Sequence, residues 1–305
     1  MALTLQDKLL SHRFVITAEV TPPVSADRNE LLAKALPLKG LADAVNVTDG
    51  AGARPHLGSV TAAAMLVEAG IEPVLQLTCR DRNRIALQSD LMSAAASGVR
   101  NLLMLRGDDP SAGDQPDAKP VFDLDSRALL ETARRLRDTG ELPSGRKVSG
   151  RADFFLGSAD NPIDPPPGWQ PNALNVKLAA GAQFVQTQFC MDAGVARRYM
   201  ARLDEAGLAG KLSFLIGIVP LRSAKSARWI KEKLFGAIIP DAIVERMERA
   251  ADPAAEGRRI CIEMVRELSD IPHVAGVHIM APGNDAAVPD IITAARASIA
   301  RLAVV

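Results

Sequence analysis

The sequence predicts an α/β fold, a single (β/α)8 TIM-type barrel over residues 1–305, with one extra helix before the last strand. Short apolar runs rich in β-branched residues alternate with longer amphipathic stretches eight times along the chain. The second, third and fourth runs begin about 29 residues apart, which is enough for one strand, one helix and two loops. This alternation is typical of a parallel sheet closed into a barrel, and a doubly wound open sheet is the alternative.

The elements follow from this alternation in chain order. The apolar runs predict strands at residues 14–20, 44–48, 73–78, 101–106, 152–157, 184–188, 213–219 and 276–280. The amphipathic stretches predict helices at residues 27–38, 59–69, 84–96, 126–138, 174–180, 193–206, 223–235, 241–250, 254–268 and 286–302. The stretch 241–250 is the extra helix. Residues 108–120 and 161–168, rich in proline, glycine and aspartate, are expected to be long loops beside the active site.

Composition excludes several classes of protein. Lysine plus arginine equals aspartate plus glutamate at 36 each, and aromatic residues make up 4%, so we expect no nucleic-acid partner. Three scattered cysteines indicate reduced thiols, and four histidines without a CxxC pair predict no metal site. Because no apolar run reaches about 18 residues and the first residues lack an apolar export core, we expect a cytoplasmic protein that does not contact a membrane.

Glu19 is the most informative single residue. It lies inside the apolar run 14–20, where a carboxylate loses hydration and its neutral form is favoured. A carboxyl group that keeps its proton near neutral pH suits a general acid, and barrels of this type carry catalytic groups at the carboxyl ends of their strands. The alternative is an ordinary strand-end residue, or one paired with an arginine such as Arg54.

Two further strand ends carry groups that suit a flat, charged ligand. Gly107 allows the main chain to approach a ligand closely, while Arg106 and Asp108 can bind a phosphate and a ring nitrogen. The alternative for Asp108 is a capping role in an ordinary turn. The amide of Gln188 both donates and accepts, which suits the edge of a heterocycle, although a buried glutamine that satisfies the main chain is equally compatible.

Other polar features favour structural roles. By charge alone, residues 80–83 (Arg-Asp-Arg-Asn) are a solvated charge run at the start of a helix. His56 and His278 are interpreted as loop or core residues rather than metal ligands. No GxGxxG motif follows a strand and no GxSxG nucleophile elbow occurs. Residues 140–145 have the spacing of a phosphate loop but lack its Lys-Ser/Thr pair, so we interpret them as a turn.

Seven stretches at or near the strand ends, taken in order, resemble the 5,10-methylenetetrahydrofolate reductase family over nearly the whole chain. They are AEVTPP at 18–23, VNVTDGAG at 45–52, QLTCRDRN at 76–83, LRGD at 105–108, AGAQFVQTQF at 180–189, GIVPLRS at 217–223 and IP at 239–240. Each stretch is short, but their order and positions are together specific. Two positions depart from the pattern: Gln76 stands where many relatives have histidine, and Val176 where some have arginine.

The resemblance implies a (β/α)8 barrel that holds FAD and transfers hydride in two stages. NADH or NADPH first reduces the flavin and leaves. The substrate 5,10-methylenetetrahydrofolate then takes its place and is reduced to 5-methyltetrahydrofolate, a step of one-carbon and methionine metabolism. The cofactor supplies the hydride chemistry, and the protein supplies positioning and electrostatics.

The resemblance also implies roles for individual residues. Glu19 corresponds to the general acid that helps to open the five-membered ring of the folate to its iminium form, and Asp108 to the aspartate that stabilises this cation. Gln188 corresponds to the glutamine that contacts the pterin, with Asp108 and Thr48 also at the substrate. The positions that correspond to flavin contacts are Thr48, Asp49, Ala51, Gln76, Arg106, Gly107, Asp108, Gly157, Asn161 and Lys177.

Two other functions are compatible with the sequence. A folate- or flavin-binding subunit of a larger redox complex would have no independent activity, although the full set of Glu19, Asp108 and Gln188 argues against it. A lyase or synthase acting on pterins would need a second acid–base group, which the sequence does not single out. The pattern does not distinguish NADH from NADPH. We expect a tetrahydrofolate derivative as the substrate, and a homo-oligomer.

Overall fold

The barrel is visible directly in the computed structural model, which describes residues 3–302 and the side chains of residues 3–300. Its eight strands pair in parallel in chain order, and the last is hydrogen-bonded to the first. They are β1 (Val15–Val20), β2 (Ala44–Val47), β3 (Pro73–Thr78), β4 (Asn101–Leu105), β5 (Phe155–Asp160), β6 (Phe184–Phe189), β7 (Ser213–Ile218) and β8 (Val274–Ile279). The predicted barrel is confirmed, and its closure excludes the open sheet.

The first of the helices precedes β1, and the others pack around the outside of the barrel. They are α1 (Leu5–Leu10), α2 (Arg28–Ala35), α3 (Ser59–Glu68), α4 (Arg84–Ala96), α5 (Ser126–Thr139), α6 (Asn172–Ala180), α7 (Ala193–Glu205), α8 (Ala224–Lys233), α9 (Asp241–Arg249), α10 (Pro253–Ser269) and α11 (Val288–Leu302). Most begin at a side chain that accepts a hydrogen bond from the first turn, which fixes where the helix starts. Such caps are Asp27, Asn83, Asp125, Asp192, Ser223 and Asp252.

The extra helix is also present, and it belongs to a larger insertion. Three helices separate β7 from β8, and it is α10 that packs against both of these strands and against α11. The two helices before it, α8 and α9, pack against each other. The predicted helix 241–250 is therefore confirmed as α9, and α8 is its partner in the insertion.

The amino-terminal end of the barrel is filled by α1, which the sequence analysis did not predict. Leu5 and Leu9 of this helix are buried in an apolar cluster inside the barrel. The strands contribute Val15, Ala44, Val74, Leu103, Phe155, Phe184 and Leu215 to it. Because apolar side chains fill this end, a site for polar chemistry is expected at the opposite end, where the strands have their carboxyl ends.

Strand β5 starts and ends three residues later than predicted, at Phe155–Asp160 rather than 152–157. Aspartate is rare in strands, so the sequence indicated an earlier end. Asp160 remains in the strand because its carboxylate pairs with Lys177 and accepts a hydrogen bond from Tyr199.

Within the described residues, every helix is too short or too polar to cross a membrane.

Candidate active site

A network of polar side chains crosses the interior of the barrel towards the carboxyl ends of the strands. Asn46 and Gln186, on β2 and β6, exchange two amide hydrogen bonds of 2.6 and 3.0 Å. Gln186 also donates to the hydroxyl of Thr17 on β1, at 3.2 Å. All three side chains are buried, and these bonds satisfy their polar atoms. The network therefore forms a fixed polar floor beneath the mouth of the barrel.

Glu19 stands above this floor. Its Oε2 accepts a hydrogen bond of 2.9 Å from the amide of Gln76 and lies 3.6 Å from Nε2 of His278. The side chain is 20% exposed, so it is reachable from the mouth but largely removed from water. Within the described part of the chain, no lysine or arginine forms an ion pair with it, and Arg54 is exposed elsewhere on the rim. The described partners of this carboxyl group are therefore an amide and an imidazole rather than a guanidinium or an ammonium group.

His278 links Glu19 to the floor. Its side chain is 3% exposed, and its Nδ1 lies 3.0 Å from the hydroxyl of Thr17. The Thr17 hydroxyl accepts from Gln186, and its own hydrogen has two acceptors within reach, Nδ1 and the carbonyl of Val277 at 3.3 Å. In the tautomer that carries its hydrogen on Nε2, this hydrogen is directed at Glu19. The interpretation of His278 as a core histidine is confirmed, and it also touches the candidate acid.

The residues that follow β2 differ in how open they are. Thr48 is buried, with its hydroxyl 3.4 Å from Nε2 of His56. Asp49 is surrounded by donors: the main-chain N–H and hydroxyl of Thr78 at 2.7 and 2.9 Å, the hydroxyl of Ser59 at 2.9 Å, and Arg82. Both carboxylate oxygens of Asp49 are thus occupied by the protein, and it ties β2 to β3.

The prediction of a solvated charge run at 80–83, at the start of a helix, holds for Asp81 and Asn83, which are exposed ahead of α4, but it was wrong for the two arginines. Arg80 is 4% exposed, and the side chain of Arg82, at 19%, pairs with Asp49 and Asp90. Both guanidinium groups fold back over the strand ends, where acceptors from neighbouring loops surround them. Charge alone could not reveal these acceptors because they come from other strands.

The loops after β2 and β4 meet at Asp108. Its Oδ2 accepts a hydrogen bond of 3.0 Å from the main-chain N–H of Gly52, beside the exposed Ala51. Arg106 is exposed, and its guanidinium lies 4.8 Å from the centre of the Phe122 ring, a cation–π contact. The predicted Arg-Gly-Asp group therefore lies at the rim of the mouth, with its charged ends accessible.

Three of the predicted contacts lie on or after β5: Gly157 within the strand, Asn161 in the loop that follows it, and Lys177 on α6. A Cβ at Gly157 would lie 2.3 Å from the ring of Phe184, so this glycine makes room for packing inside the barrel. Lys177 donates to the carbonyl of Ala159 at 2.6 Å and pairs with Asp160 at 3.1 Å. Asn161 is exposed. Of the three, only Asn161 presents its side chain freely to solvent.

Gln188 lies at the end of β6. Its Oε1 accepts a hydrogen bond of 3.0 Å from the N–H of Phe189, and its Nε2 lies 3.5 Å from the carbonyl of Phe235. The segment after Phe235 continues along β6, because Ile238 donates to the carbonyl of Phe189 at 2.8 Å. The amide is therefore at the mouth, and its weak contact with Phe235 is the one a ligand could replace.

Sequence reasoning overlooked Asp285, in the turn after β8. Burial raises the pKa of this carboxyl group, the positive charge of Lys34 lowers it, and the negative charge of Glu19 raises it further. Asp285 is thus close enough to Glu19 for the two charges to interact. The only signal was its place in the turn after the last strand.

Among the residues that the structure describes, no group of histidine, cysteine, aspartate and glutamate could hold a metal ion.

Comparison with known sequences gives a consistent result. The profile of a family described as "Methylenetetrahydrofolate reductase" matches residues 4–296. A probable methylenetetrahydrofolate reductase (NADPH) of Caenorhabditis elegans is 28% identical over 242 residues, which cover 77% of this chain and 34% of that protein. A 5,10-methylenetetrahydrofolate reductase of Pectobacterium carotovorum is 28% identical over 224 residues, or 71% of this chain and 67% of that protein. The chain thus spans about a third of the length of the worm relative.

Solved structures share the fold at low sequence identity. A protein from Clostridium thermocellum that binds two copies of 5-methyl-5,6,7,8-tetrahydrofolic acid aligns with a TM-score of 0.65 and 14% identity, over 95% of this chain and 97% of that one. The EDTA monooxygenase of Chelativorans aligns with a TM-score of 0.54 and 13% identity, over 93% and 94%. At these identities the likeness shows the barrel fold alone.

Proposed function

The chain belongs to the methylenetetrahydrofolate reductase family, and we propose that it reduces 5,10-methylenetetrahydrofolate to 5-methyltetrahydrofolate, with hydride supplied by NADH or NADPH through bound FAD. One observation carries the proposal beyond membership. A carboxyl group, Glu19, is held at the mouth of the barrel by an amide and an imidazole, without an arginine or lysine partner among the described residues. This is the arrangement that a proton donor for the folate requires.

Glu19 is the proposed general acid. Opening the five-membered ring of the folate requires a proton on the nitrogen that leaves the methylene carbon. The carboxyl group of Glu19 is the proposed donor of that proton, and the amide of Gln76 orients it through Oε2. In the tautomer that carries its hydrogen on Nε2, His278 stabilises the carboxylate that results. The buried floor below keeps water from reaching the group from the barrel side.

The proposed substrate contacts lie at the mouth of the barrel: Thr48 after β2, Asp108 after β4, and Gln188 near the end of β6. The iminium form of the folate is a cation, and the exposed carboxylate of Asp108 is the negative charge placed to stabilise it. The amide of Gln188 can exchange its 3.5 Å contact with Phe235 for a hydrogen bond to a heterocycle. A nicotinamide carboxamide offers the same donor and acceptor groups as a pterin edge.

The residues proposed for the flavin divide into an open and a closed set. Ala51, Arg106, Gly107 and Asp108 lie at the rim, where an accessible guanidinium and a glycine-containing turn suit a planar, phosphate-bearing group. Gln76 and Thr48 lie deeper, and Asn161 faces solvent. The open set therefore comprises the rim residues together with Gln76, Thr48 and Asn161, and this set fits FAD and would hold it. When bound there, FAD would supply the hydride-transfer chemistry between the nicotinamide and the folate.

The closed set supports a second candidate function. The charges of Asp49 and Lys177 are paired with other groups of the protein. The space beside Gly157 is filled by the ring of Phe184. A chain that binds folate without retaining flavin, as a subunit with no independent activity, would be consistent with these three residues. The C. thermocellum protein of the same fold binds a methylated folate, which makes this candidate concrete.

One experiment separates the two candidates. The purified chain is reconstituted with FAD, and its absorbance is followed anaerobically after addition of NADH, NADPH and then methylenetetrahydrofolate. The reductase predicts that a nicotinamide bleaches the flavin and that the folate restores its colour. Binding of 5-methyltetrahydrofolate without oxidation of either nicotinamide by any acceptor would favour the subunit. Turnover by a colourless protein would remove the flavin from the proposal but leave the reduction of the folate in place.

A further inference from the structure

We propose that Arg80 is a positioning residue that sets the orientation of Asp108 and of the turn at residues 50–52. This inference rests on the proposed function for the role of Asp108 in the reaction. Arg80 itself follows β3 and contacts a main-chain carbonyl in each of the loops that follow the neighbouring strands β2 and β4. It thus acts through other residues rather than on the substrate.

The guanidinium of Arg80 is held in one plane. Its Nε and Nη2 each donate a hydrogen bond of 2.7 Å to the two carboxylate oxygens of Asp81. The Arg80 side chain is 5% exposed, whereas that of Asp81 is 54% exposed. A two-pronged contact of this kind fixes direction as well as distance. The third nitrogen, Nη1, is therefore aimed away from Asp81 in a defined direction.

That third nitrogen joins the loops after β2 and β4. Nη1 lies 3.1 Å from the carbonyl of Gly50 and 3.4 Å from the carbonyl of Asp108. The circuit is closed on the other side, because the Asp108 carboxylate accepts the N–H of Gly52 at 3.0 Å. Asp108 is thus held at both its main chain and its side chain. Loss of the Arg80 contact leaves only the single bond from Gly52.

Two glycines are shaped around Arg80. Gly50 and Gly107 both have positive φ, at 61° and 92°. A Cβ at Gly50 would lie 2.2 Å from Nη2 of Arg80, and one at Gly107 would lie 3.0 Å from its Cβ. The positive φ strains any side chain at either position; a Cβ at Gly50 would also displace the Arg80 guanidinium, and one at Gly107 would press against the Arg80 Cβ. The Arg80 side chain therefore fills the space between the loops after β2 and β4.

The consequence is specific to the guanidinium. A lysine can carry the charge, but it has no planar fork and cannot hold Asp81 and both carbonyls in one geometry. If Arg80 positions Asp108, its replacement should impair the folate step more than the nicotinamide step. It should also loosen the N–H of Gly52, whose acceptor is Asp108. The second effect can be measured without any turnover.

The test compares R80K and R80M with the control R84K. Arg84 makes the same kind of two-pronged contact, with Asp123, and is not hydrogen-bonded to residues 50–52 or 107–108. We expect R80M to slow reduction of the folate by at least about tenfold at saturating flavin. Reduction of the flavin by the nicotinamide should change much less, hydrogen exchange of the Gly52 amide should accelerate, and R80K should recover only part of the rate. R84K should behave like the wild type in all three measurements.

Two results would overturn the proposal. One is wild-type exchange at Gly52 together with wild-type folate reduction in R80M. The other is an equal fall in both half-reactions that follows the loss of thermal stability. If R80M does not fold, D81A replaces it: Asp81 is half exposed, and removal of its carboxylate removes both bonds that hold the Arg80 guanidinium in its plane. Unchanged exchange at Gly52 in D81A would then contradict the proposal. A wild type that reduces no folate would refute the proposed function, while exchange at Gly52 would still decide the role of Arg80.

Discussion

Glu19 is the residue whose replacement should separate the two half-reactions. In E19Q the carboxyl can no longer donate a proton, but the shape of the side chain and its contact with Gln76 are retained. We expect reduction of the folate to fall by about a hundredfold or more, as for loss of a general acid, while reduction of the flavin by the nicotinamide stays close to wild type. Stopped-flow absorbance of each half-reaction measures the two rates. The control is E68Q, an exposed glutamate paired with Arg28 on the outside of the barrel. Equal loss of both half-reactions would contradict the assigned role.

The same scale shows which site residues a sequence can reveal. Glu19 could be singled out because a carboxylate inside an apolar run conflicts with its surroundings. Arg80 could not, because the glycines and carbonyls that receive it lie on other strands. The contacts of His278 with Thr17 and Glu19 were also hidden, since they join the first strand to the last. Residue types are local, whereas their partners depend on the closure of the barrel.

At the scale of elements, alternation could locate the strands better than their ends. Seven predicted strands overlap the observed ones to within two residues at each end, because their apolar runs stop where the chain leaves the sheet. Strand β5 shifted by three because the partners of Asp160 come from α6 and α7. Helix α1 was missed although Thr4 and Asp7 form a capping box ahead of it. It spans only six residues, and its helicity depends on the barrel that it closes.

Helix α1 should matter for stability and not for catalysis. Leu5 is fully buried among apolar strand residues, so L5A creates a cavity and should lower the free energy of unfolding by about 2–5 kcal/mol. The matched control is L10A on the same helix, where the leucine is 69% exposed and the expected change is within about 0.5 kcal/mol. Urea unfolding measures both. Below the unfolding temperature, L5A should keep the wild-type rate of folate reduction. A selective loss of that rate would show that the closed end influences the mouth.

At the scale of the whole molecule, the barrel separates stability from chemistry. One end of its interior is filled by apolar side chains such as Leu5 and Phe184, and the other end by polar side chains such as Thr17 and Glu19. Regular alternation could predict this architecture because eight similar units leave few ways to bury their strands. It could not predict which of the rim residues remain open. Asp49 and Arg106 both follow strands, yet only the second is accessible, since the partners of Asp49 come from β3 and α3.

Global stability should also depend on pH through buried thiols. Burial raises the pKa of Cys261, on α10, to about 12, and that of Cys190 to about 11. In the unfolded chain a thiol loses its proton above about pH 8.5, whereas the folded chain keeps it, so the folded state binds more protons. The contribution of each thiol is therefore fully present below that pH. It is lost as pH rises, by about 1.4 kcal/mol per pH unit, until the folded pKa is reached.

The variant C261A isolates one of these contributions. Its smaller side chain lowers stability by an amount that does not depend on pH, while the titrating group is removed. Between pH 8 and pH 10.5 the wild type should lose about 2.5 kcal/mol more of its unfolding free energy than C261A does, so the two curves converge as pH rises. Urea unfolding at several pH values measures the difference, and subtraction cancels the titration of lysines and of the other cysteines. Curves that stay parallel would mean that the Cys261 thiol titrates alike in the folded and unfolded chains, and α10 would then be more open to solvent than its packing against β7 and β8 implies.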